Sequence, residues 1–312
     1  MKVSEQVTVG ICAFNEDKNI GQLLEKVLHE QELSSESEVL IVCSGCTDNT
    51  VKIAQDYARK DHRVSVFIEE KRTGKASAVN QILQNARGNN VIFISADTLP
   101  YRNCFSNLTS KMQDPKAGIV CGKPIPVKDQ RSLVSSLVQA LWLFHDHVFT
   151  KLNDAGLARH ATEVFCIRRN IVHRIPPETV NDDAYIAVTA KKKGWLIKYE
   201  PRASVSISGP KTLSDFIKQR RRIIFGHYQI RKLTGETPQY LVQLAPQHPK
   251  KVLQLAMWLC IQSGILTFLA FSEIEFLLNM SAIVDVLTGK NYTQWSIADS
   301  TKAVPQAKRT IR

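Results

Sequence analysis

The chain has 312 residues, of which 44% are hydrophobic, so it is long enough and apolar enough to bury a core. This composition excludes a wholly disordered protein. The formal net charge of +12 favours a polyanionic partner such as phosphate groups, nucleic acid or anionic lipid, and charge alone does not choose among these.

Short apolar runs alternate with helical patterns along the first hundred residues. Strands are predicted at 7–13, 38–42, 64–68 and 91–94, and helices at 18–29, 50–59 and 75–85. This alternation is typical of an α/β fold with a parallel sheet and helices on both faces. After Pro100 the pattern weakens to a helix at 134–149, a strand at 163–167 and a helix at 213–233, which we interpret as the acceptor half of the same domain.

An uncharged apolar stretch of 20 residues runs from Val252 to Phe271 and is long enough to span a bilayer. Polar residues within it and charged residues at both ends make an interfacial or packed helix equally compatible. We therefore expect a folded domain over 5–235, a helical and possibly membrane-associated segment over 236–298, and a polar tail over 299–312.

The cysteine content and the N-terminus predict the compartment. The seven cysteines are odd in number and lie mostly in apolar runs, which indicates reduced, buried thiols. The first residues lack an apolar run of signal-peptide length. We expect the protein at the cytoplasmic face of the cell membrane, as a peripheral or single-span protein, with the cytoplasm as second choice.

Polar residues that follow the predicted strands are candidates for chemistry, since ligands of such sheets bind beyond the carboxyl ends of the strands. Asp97 follows the fourth strand, where a hard divalent cation could join it to phosphate oxygens, although a lone Asp there is more often a turn or cap residue. Asp182 and Asp183 could include a general base, although adjacent acids also commonly start helices. Asn15 and Glu16 after the first strand would face the same crevice.

Two basic motifs are suited to phosphate binding. Residues 71–75 follow a strand and open a helix, where free backbone amides and positive charge favour a diphosphate. Gln219 and Arg222, three apart in a helical pattern, share a face and could hold a pyrophosphate or the acceptor. We expect their neighbours Arg220 and Arg221 to face solvent or anionic lipid.

Two other motifs have chemistry-bearing residues but favour structural roles. Cys43 and Cys46 form a Cys-x-x-Cys pair, yet the residues usual around a dithiol redox pair and a second pair for zinc are missing. His145, Asp146 and His147 alternate along a predicted helix, so their side chains point apart and do not make a metal cluster.

Six motifs in this order, ICAFNE, SGCTDNT, GKASAVN, SADTLP, NDDAYIA and QRRRI, resemble the inverting glycosyltransferases of family 2, which have the GT-A fold. The resemblance extends over roughly residues 5–235. It implies a Rossmann-like, mostly parallel sheet that binds a nucleoside diphosphate sugar, a DxD-type loop that holds Mg²⁺ or Mn²⁺, and an ED-type motif that supplies the base.

The resemblance also implies roles for single residues. Asp183 would be the catalytic base with Asp182 beside it, and Asp97 would be the metal ligand. The implied donor-binding residues are Asn15, Glu16, Ser44, Lys75, Asp97, Gln219 and Arg222.

Three positions depart from the family pattern. Ser95 stands where the first acid of the DxD loop is expected, which leaves the strength of metal binding open. Ser44 replaces an acid that commonly contacts the base or ribose, so the donor nucleotide is not readable. Ile223 replaces the Trp of the last motif, and the chain lacks the many spans of a polysaccharide synthase, which favours transfer of a single sugar over polymerisation.

The implied function is inverting transfer, of hexosyltransferase type, from a nucleoside diphosphate sugar to the hydroxyl of a glycan or lipid-linked acceptor of the cell envelope, near a membrane surface. No nucleic-acid partner is expected, because no binding module accompanies the basic residues. One alternative, a sugar-nucleotide pyrophosphorylase, normally needs a glycine-rich basic signature that residues 14–16 lack. The other is a catalytically degenerate relative that acts as a membrane scaffold, which Ser95 and Ser44 favour and the retained acid pair disfavours.

Overall fold

The computed structural model describes residues 6–127, 132–154, 156–158, 160–238, 248–290 and 292. The strands are β1 Val7–Ala13, β2 Glu38–Ser44, β3 Val64–Glu69, β4 Asn90–Ser95, β5 Thr98–Pro100, β6 Ala117–Pro126, β7 Val164–Arg168 and β8 Leu196–Ile207. The helices are α1 Ile20–Glu25, continued by a π-helical turn Lys26–Glu30, α2 Thr50–Lys60, α3 Lys75–Asn85, α4 Cys104–Met112, α5 Leu133–Asp154, α6 Asp182–Lys192, α7 Leu213–Thr234, α8 Pro249–Ser263 and α9 Ile265–Leu287.

The eight strands form one sheet in the order β3-β2-β1-β4-β7-β6-β8-β5. Strands β1 to β4 pair in parallel, which confirms the fold expected from the alternating pattern of the first hundred residues. Beyond β4 the sheet is mixed. Strand β7 runs antiparallel to β4 and to β6, and β8 is parallel to β6 but antiparallel to β5.

Helices cover both faces of the sheet, so the central strands are apolar at successive positions. Strand β2 is buried along its whole length. Its Ile41 packs into a core with α1, α2 and α4, whereas its Leu40 and Val42 pack into a second core with α3 and α6. This is the pattern expected for a strand with no solvent-facing side.

The apolar stretch at 252–271 is not one helix, so the bounds considered for a single spanning segment do not hold. Helix α8 ends at Ser263 and α9 begins at Ile265, because Gly264 between them has a φ of +81°, a conformation that residues with a Cβ rarely adopt. In the described part of the chain, α9 is the one helix long and apolar enough to cross a membrane. Of its most apolar 18 residues, 17% are buried. The predicted tail at 299–312 lies outside the described residues.

Two ion pairs join α9 to α7. The Arg220 guanidinium donates to both carboxylate oxygens of Glu275, each at 2.7 Å. Arg221 donates in the same way to Asp285, at 2.6 and 2.7 Å. The expectation that these arginines face solvent or lipid is therefore wrong, since the acids that pair with them come from a helix packed on α7.

Candidate active site

The loops that follow the first three parallel strands are joined to one another at the carboxyl edge of the sheet. The Asn15 amide donates to Thr47 Oγ1 at 3.1 Å and accepts from the Thr47 backbone N at 2.8 Å. The Arg72 guanidinium lies 4.1 Å from the centre of the Phe14 ring, a cation–π contact. These contacts make the three loops one continuous wall of the crevice.

Glu16 and Ser44 lie in this wall, and both are buried. The Glu16 carboxylate accepts from the Asn19 amide at 2.8 Å, and its backbone oxygen accepts from Ile20 N at 2.8 Å, which starts α1. Ser44 Oγ accepts from the Thr73 backbone N at 3.4 Å. Both residues occupy the predicted edge and shape its loops, and their contact with a donor stays a prediction.

The predicted acid pair opens α6 and meets a lysine from α3. Asp182 and Asp183 form the first turn of α6, where the positive end of the helix dipole favours negative charge. Lys75 Nζ, at the start of α3, lies 3.2 Å from Asp182 Oδ1. The side chain of Asp182 is 6% exposed, whereas that of Asp183, which lies near His160, is 26% exposed. Asp183 is therefore the more accessible of the two acids.

Helix α7 is docked on the residues that precede this acid pair. The Asn181 amide donates to the Ile223 backbone oxygen at 2.8 Å. The close approach requires glycine at position 226, where a Cβ would lie 2.5 Å from Asn181 Cγ. This contact fixes the height of α7 relative to α6.

Docked in this way, α7 directs Arg222 at the acids. Its guanidinium interacts electrostatically with Asp97, Asp182 and Asp183, and burial lowers the pKa of Arg222 against their attraction. Gln219 is half-buried one turn earlier on the same helix. The structure thus brings the β4 loop, α3, α6 and α7 together, while the predicted role of Gln219 stays a prediction.

Burial and the neighbouring charges tune the ionisable groups of this cluster. Burial first, and then repulsion from Asp182, raises the pKa of Asp183 from 3.8 to about 7. Burial opposes the charged form of Lys75, but attraction to Asp182 and Asp183 outweighs it and raises the pKa of this lysine. Asp183 can therefore take up a proton near neutral pH beside an amine that stays charged.

The loop after β4 has the donor atoms that a hard cation prefers. Asp97 lies there and interacts electrostatically with the carboxylate of Glu163, which accepts from Ser95 Oγ at 3.0 Å. Over the described ranges, no group of three or more His, Cys, Asp and Glu side chains could hold a metal by itself. Carboxylates that share a cation with substrate phosphates are the usual ligands of Mg²⁺, so the residues present fit a metal that arrives with a diphosphate.

Glu163 beside Ser95 was not among the site residues predicted from the sequence.

A group of three histidines beside Asp183 was not predicted either. His160 lies between His145 and His227, with ring centres 5.8 and 5.5 Å away. Its Nδ1 is 3.8 Å from Asp183 Oδ2. Burial, reinforced by Arg220, lowers the pKa of His160 to about 4, so these rings form a neutral wall beside the acid at neutral pH. Their scattered sequence positions gave no signal.

The residues of the His145–His147 segment, which we interpreted as structural from the sequence, pack against or bond to neighbouring side chains. His145 stacks on Phe149, with ring centres 4.3 Å apart. Asp146 accepts from Lys123 Nζ and from a tyrosine hydroxyl, each at 2.7 Å, and His147 stacks on an α8 tryptophan at 3.8 Å. All seven cysteines lie within the described residues and are free.

Comparison with known proteins defines the family. Residues 8–175 match the family described as Glycosyl transferase family 2. The match covers more than half of the chain, which therefore belongs to this family. The poly-beta-1,6-N-acetyl-D-glucosamine synthase of Staphylococcus aureus (strain COL) is 25% identical over 232 residues, which are 72% of this chain and 55% of that protein. The chain spans about half the length of the curated relatives that it matches.

Solved structures confirm the GT-A fold. A mannosyltransferase from Pyrobaculum calidifontis in complex with GDP-Man and Mn²⁺ aligns with a TM-score of 0.61 and 21% identity, over 91% of this chain and 79% of that one. The glucosyl-3-phosphoglycerate synthase of Mycobacterium tuberculosis in complex with Mn²⁺ and UDP-Glc aligns with a TM-score of 0.51 and 17% identity, over 73% and 80%. At these identities the likeness concerns the fold alone.

Proposed function

We propose that this chain is a metal-dependent, inverting glycosyltransferase that moves a single sugar from a nucleoside diphosphate sugar to an acceptor hydroxyl. The observation that carries the proposal is Asp183, a partly exposed acid with a pKa raised to about 7, set beside Asp182 and the charged amine of Lys75. A general base works best when its pKa lies near the operating pH. Family membership and the GT-A fold support the same reaction.

In the proposed reaction, Asp183 accepts the proton of the acceptor hydroxyl. The acceptor oxygen forms a bond to the anomeric carbon of the donor while the bond from that carbon to the diphosphate breaks on the opposite side, so the configuration inverts. Lys75 and Arg222 present positive charge to the departing diphosphate, and they do so from half-buried positions beside the acid pair, where electrostatic interactions are stronger than in open solvent. The neutral rings of His145, His160 and His227, of which His227 is buried, cover another side of the base.

The same reaction assigns roles to the remaining donor contacts. Asp97 would hold Mg²⁺ or Mn²⁺, which supplies charge stabilisation to the diphosphate when bound. The structures of the two aligned enzymes contain Mn²⁺, which supports this choice of ion. The residues that we propose for the rest of the donor are Asn15, Glu16, Ser44, Lys75, Gln219 and Arg222.

We further propose that α8 and α9 rest on the cytoplasmic face of a membrane and bring the site to a glycan or lipid-linked acceptor. The two helices expose large apolar side chains, among them Leu253, Met257, Ile261, Leu266, Leu269, Phe276 and Leu277. Lys250 and Lys251 lie in the first turn of α8, where they can meet anionic headgroups. The ion pairs of Arg220 and Arg221 hold α9 along α7, which favours a helix lying on the bilayer over one that leaves the domain to span it.

Donor turnover tests the transferase proposal. The protein is incubated with UDP-, GDP- and dTDP-sugars, Mn²⁺ or Mg²⁺ and membrane extract, and release of nucleoside diphosphate is followed. We expect release from one donor that requires metal and is lost in Asp97→Asn and Asp183→Asn. Glu273→Gln, an exposed acid on α9, is the matched control and should keep full activity. If no donor binds or turns over, the membrane scaffold becomes the better proposal.

Vesicle sedimentation tests the membrane proposal. Vesicles of phosphatidylcholine with phosphatidylglycerol should carry down the wild-type protein, and the double variant Leu266→Glu/Phe276→Glu should remain in the supernatant. Ile68→Glu, at an exposed apolar position on the edge strand β3, is the matched control and should bind like wild type. Equal sedimentation of the three proteins would contradict a role for this apolar face.

A further inference from the structure

Glu163 lies opposite Ser95, the position where this chain lacks the first acid of the family motif. The antiparallel ladder of β4 and β7 pairs Ile94 with Val164, so the next pair outward is Ser95 with Glu163. The Ser95 backbone N donates to the Glu163 backbone oxygen at 3.3 Å, and Ser95 Oγ donates to Glu163 Oε2 at 3.0 Å. The carboxylate of Glu163 is thus held against the serine that replaces the first acid of the DxD-type loop.

The surroundings of Glu163 belong to the donor site. Its carboxylate interacts electrostatically with Lys75, Asp97 and Arg222. Lys75 and Arg222 are the two cations of the cluster, and both also interact with Asp182 and Asp183. Glu163 therefore faces the same space as the residues that we propose for the diphosphate, and not a separate surface.

The charges around Glu163 favour a further cation. Four carboxylates, those of Asp97, Glu163, Asp182 and Asp183, share this space with two positive side chains. A role for Glu163 in balancing Lys75 and Arg222 alone would not explain the two negative charges left over when all four acids are ionised. A nucleoside diphosphate brings more negative charge, so a divalent cation is the species that this arrangement accommodates.

We propose that Glu163 supplies the carboxylate that Ser95 lacks, so that the divalent cation is held by Asp97 and Glu163 together with oxygens of the diphosphate and water. The acid would then lie just before β7, opposite the end of β4, instead of at the end of β4 itself. Magnesium sites with one or two carboxylates and substrate phosphates have this composition. The inference rests on the proposed nucleotide-sugar function, and it makes Glu163 a metal ligand with Ser95 as the residue that positions it.

Binding of Mn²⁺ tests this assignment without turnover. Free Mn²⁺ is measured by its electron paramagnetic resonance signal during titration of the protein with MnCl₂ in the presence of UDP or GDP. We expect Glu163→Gln, which keeps the size of the side chain, to weaken Mn²⁺ binding by at least about tenfold, in the range seen when metal sites lose a supporting group. Ser95→Ala, which removes the hydroxyl that positions Glu163 but leaves both carboxylates, should weaken Mn²⁺ binding less than Glu163→Gln does.

A variant that moves the acid back separates ligation from a merely structural role. Ser95→Asp combined with Glu163→Gln restores the acid on β4, and we expect it to recover Mn²⁺ binding relative to Glu163→Gln alone. Thermal melting and binding of UDP or GDP without metal serve as controls for folding. Wild-type Mn²⁺ affinity in Glu163→Gln would overturn the assignment and leave the transferase proposal standing. If the wild-type protein binds UDP or GDP equally well with and without Mn²⁺ or Mg²⁺, both this assignment and the proposed metal dependence would be overturned.

Discussion

Substitution of Gly226 by alanine tests how the docking of α7 sets the site. The new Cβ would lie 2.5 Å from Cγ of Asn181, so either α7 or the start of α6 must shift by about 1 Å to restore an ordinary contact. The shift weakens the bond from Asn181 to the Ile223 oxygen. Overpacking and the weakened hydrogen bond together destabilise the fold by about 3 kcal/mol. The better helix propensity of alanine offsets about 1 kcal/mol, so the net loss of stability is about 2 kcal/mol.

The same shift moves Arg222 relative to Asp182 and Asp183. A displacement of about 1 Å in a positioning element can lower a rate by about a hundredfold, so turnover should fall far more than stability alone explains. Gly21→Ala in α1 is the matched control, because its Cβ would meet Ile53 Cγ2 at an ordinary 3.6 Å.

Urea unfolding and donor turnover are measured for both glycine variants under conditions where each is folded. We expect Gly21→Ala to keep wild-type turnover with equal or slightly higher stability. A Gly226→Ala protein with wild-type turnover would refute the reasoning that this contact positions Arg222.

Three further predictions concern the acid pair and the C-terminal helices. Since Asp183 must be deprotonated to act as a base, kcat/KM should fall as the pH drops below about 7, and a flat profile between about pH 5 and pH 9 would contradict its role. The pKa of Asp183 is higher in the folded state than its usual 3.8, so the stability that its protonated form contributes is lost as the pH rises through about 7. At alkaline pH, Asp183→Asn should therefore unfold at a higher urea concentration than wild type, whereas at acid pH the two proteins should unfold at similar urea concentrations. Equal urea midpoints for the two proteins at alkaline pH would contradict the raised pKa. Glu275→Gln leaves Arg220 without its carboxylate and should lower the free energy of unfolding by about 3 kcal/mol, whereas Glu273→Gln should not, and equal urea midpoints for the two variants would contradict this role of the ion pair.

The sequence by itself determined the first half of the fold. Predicted strands and helices up to residue 94 correspond to β1 through β4 and α1 through α3, and the predicted helix 75–85 has the bounds of α3. These elements are predictable because each pattern is local, and because a strand, a helix and a parallel strand leave few possible arrangements. The ordered motifs also determined the family, since four of the six follow those strands.

The tertiary structure decided the rest, because it depends on partners that are distant in sequence. The direction of β6, β7 and β8 follows from pairing across long connections, and no local pattern predicted α4 or the short β5. The break at Gly264 depends on a backbone conformation that an apolar pattern hides.

The partners of charged residues were equally unreadable from sequence. Arg220 and Arg221 looked like a solvated basic face, and only the packing of α9 on α7 supplied their acids. Ser95 looked like a missing ligand, and only the antiparallel register of β7 placed the carboxylate of Glu163 against it. Electrostatic and coordination partners are chosen by distance in space, which the order of residues along the chain does not contain.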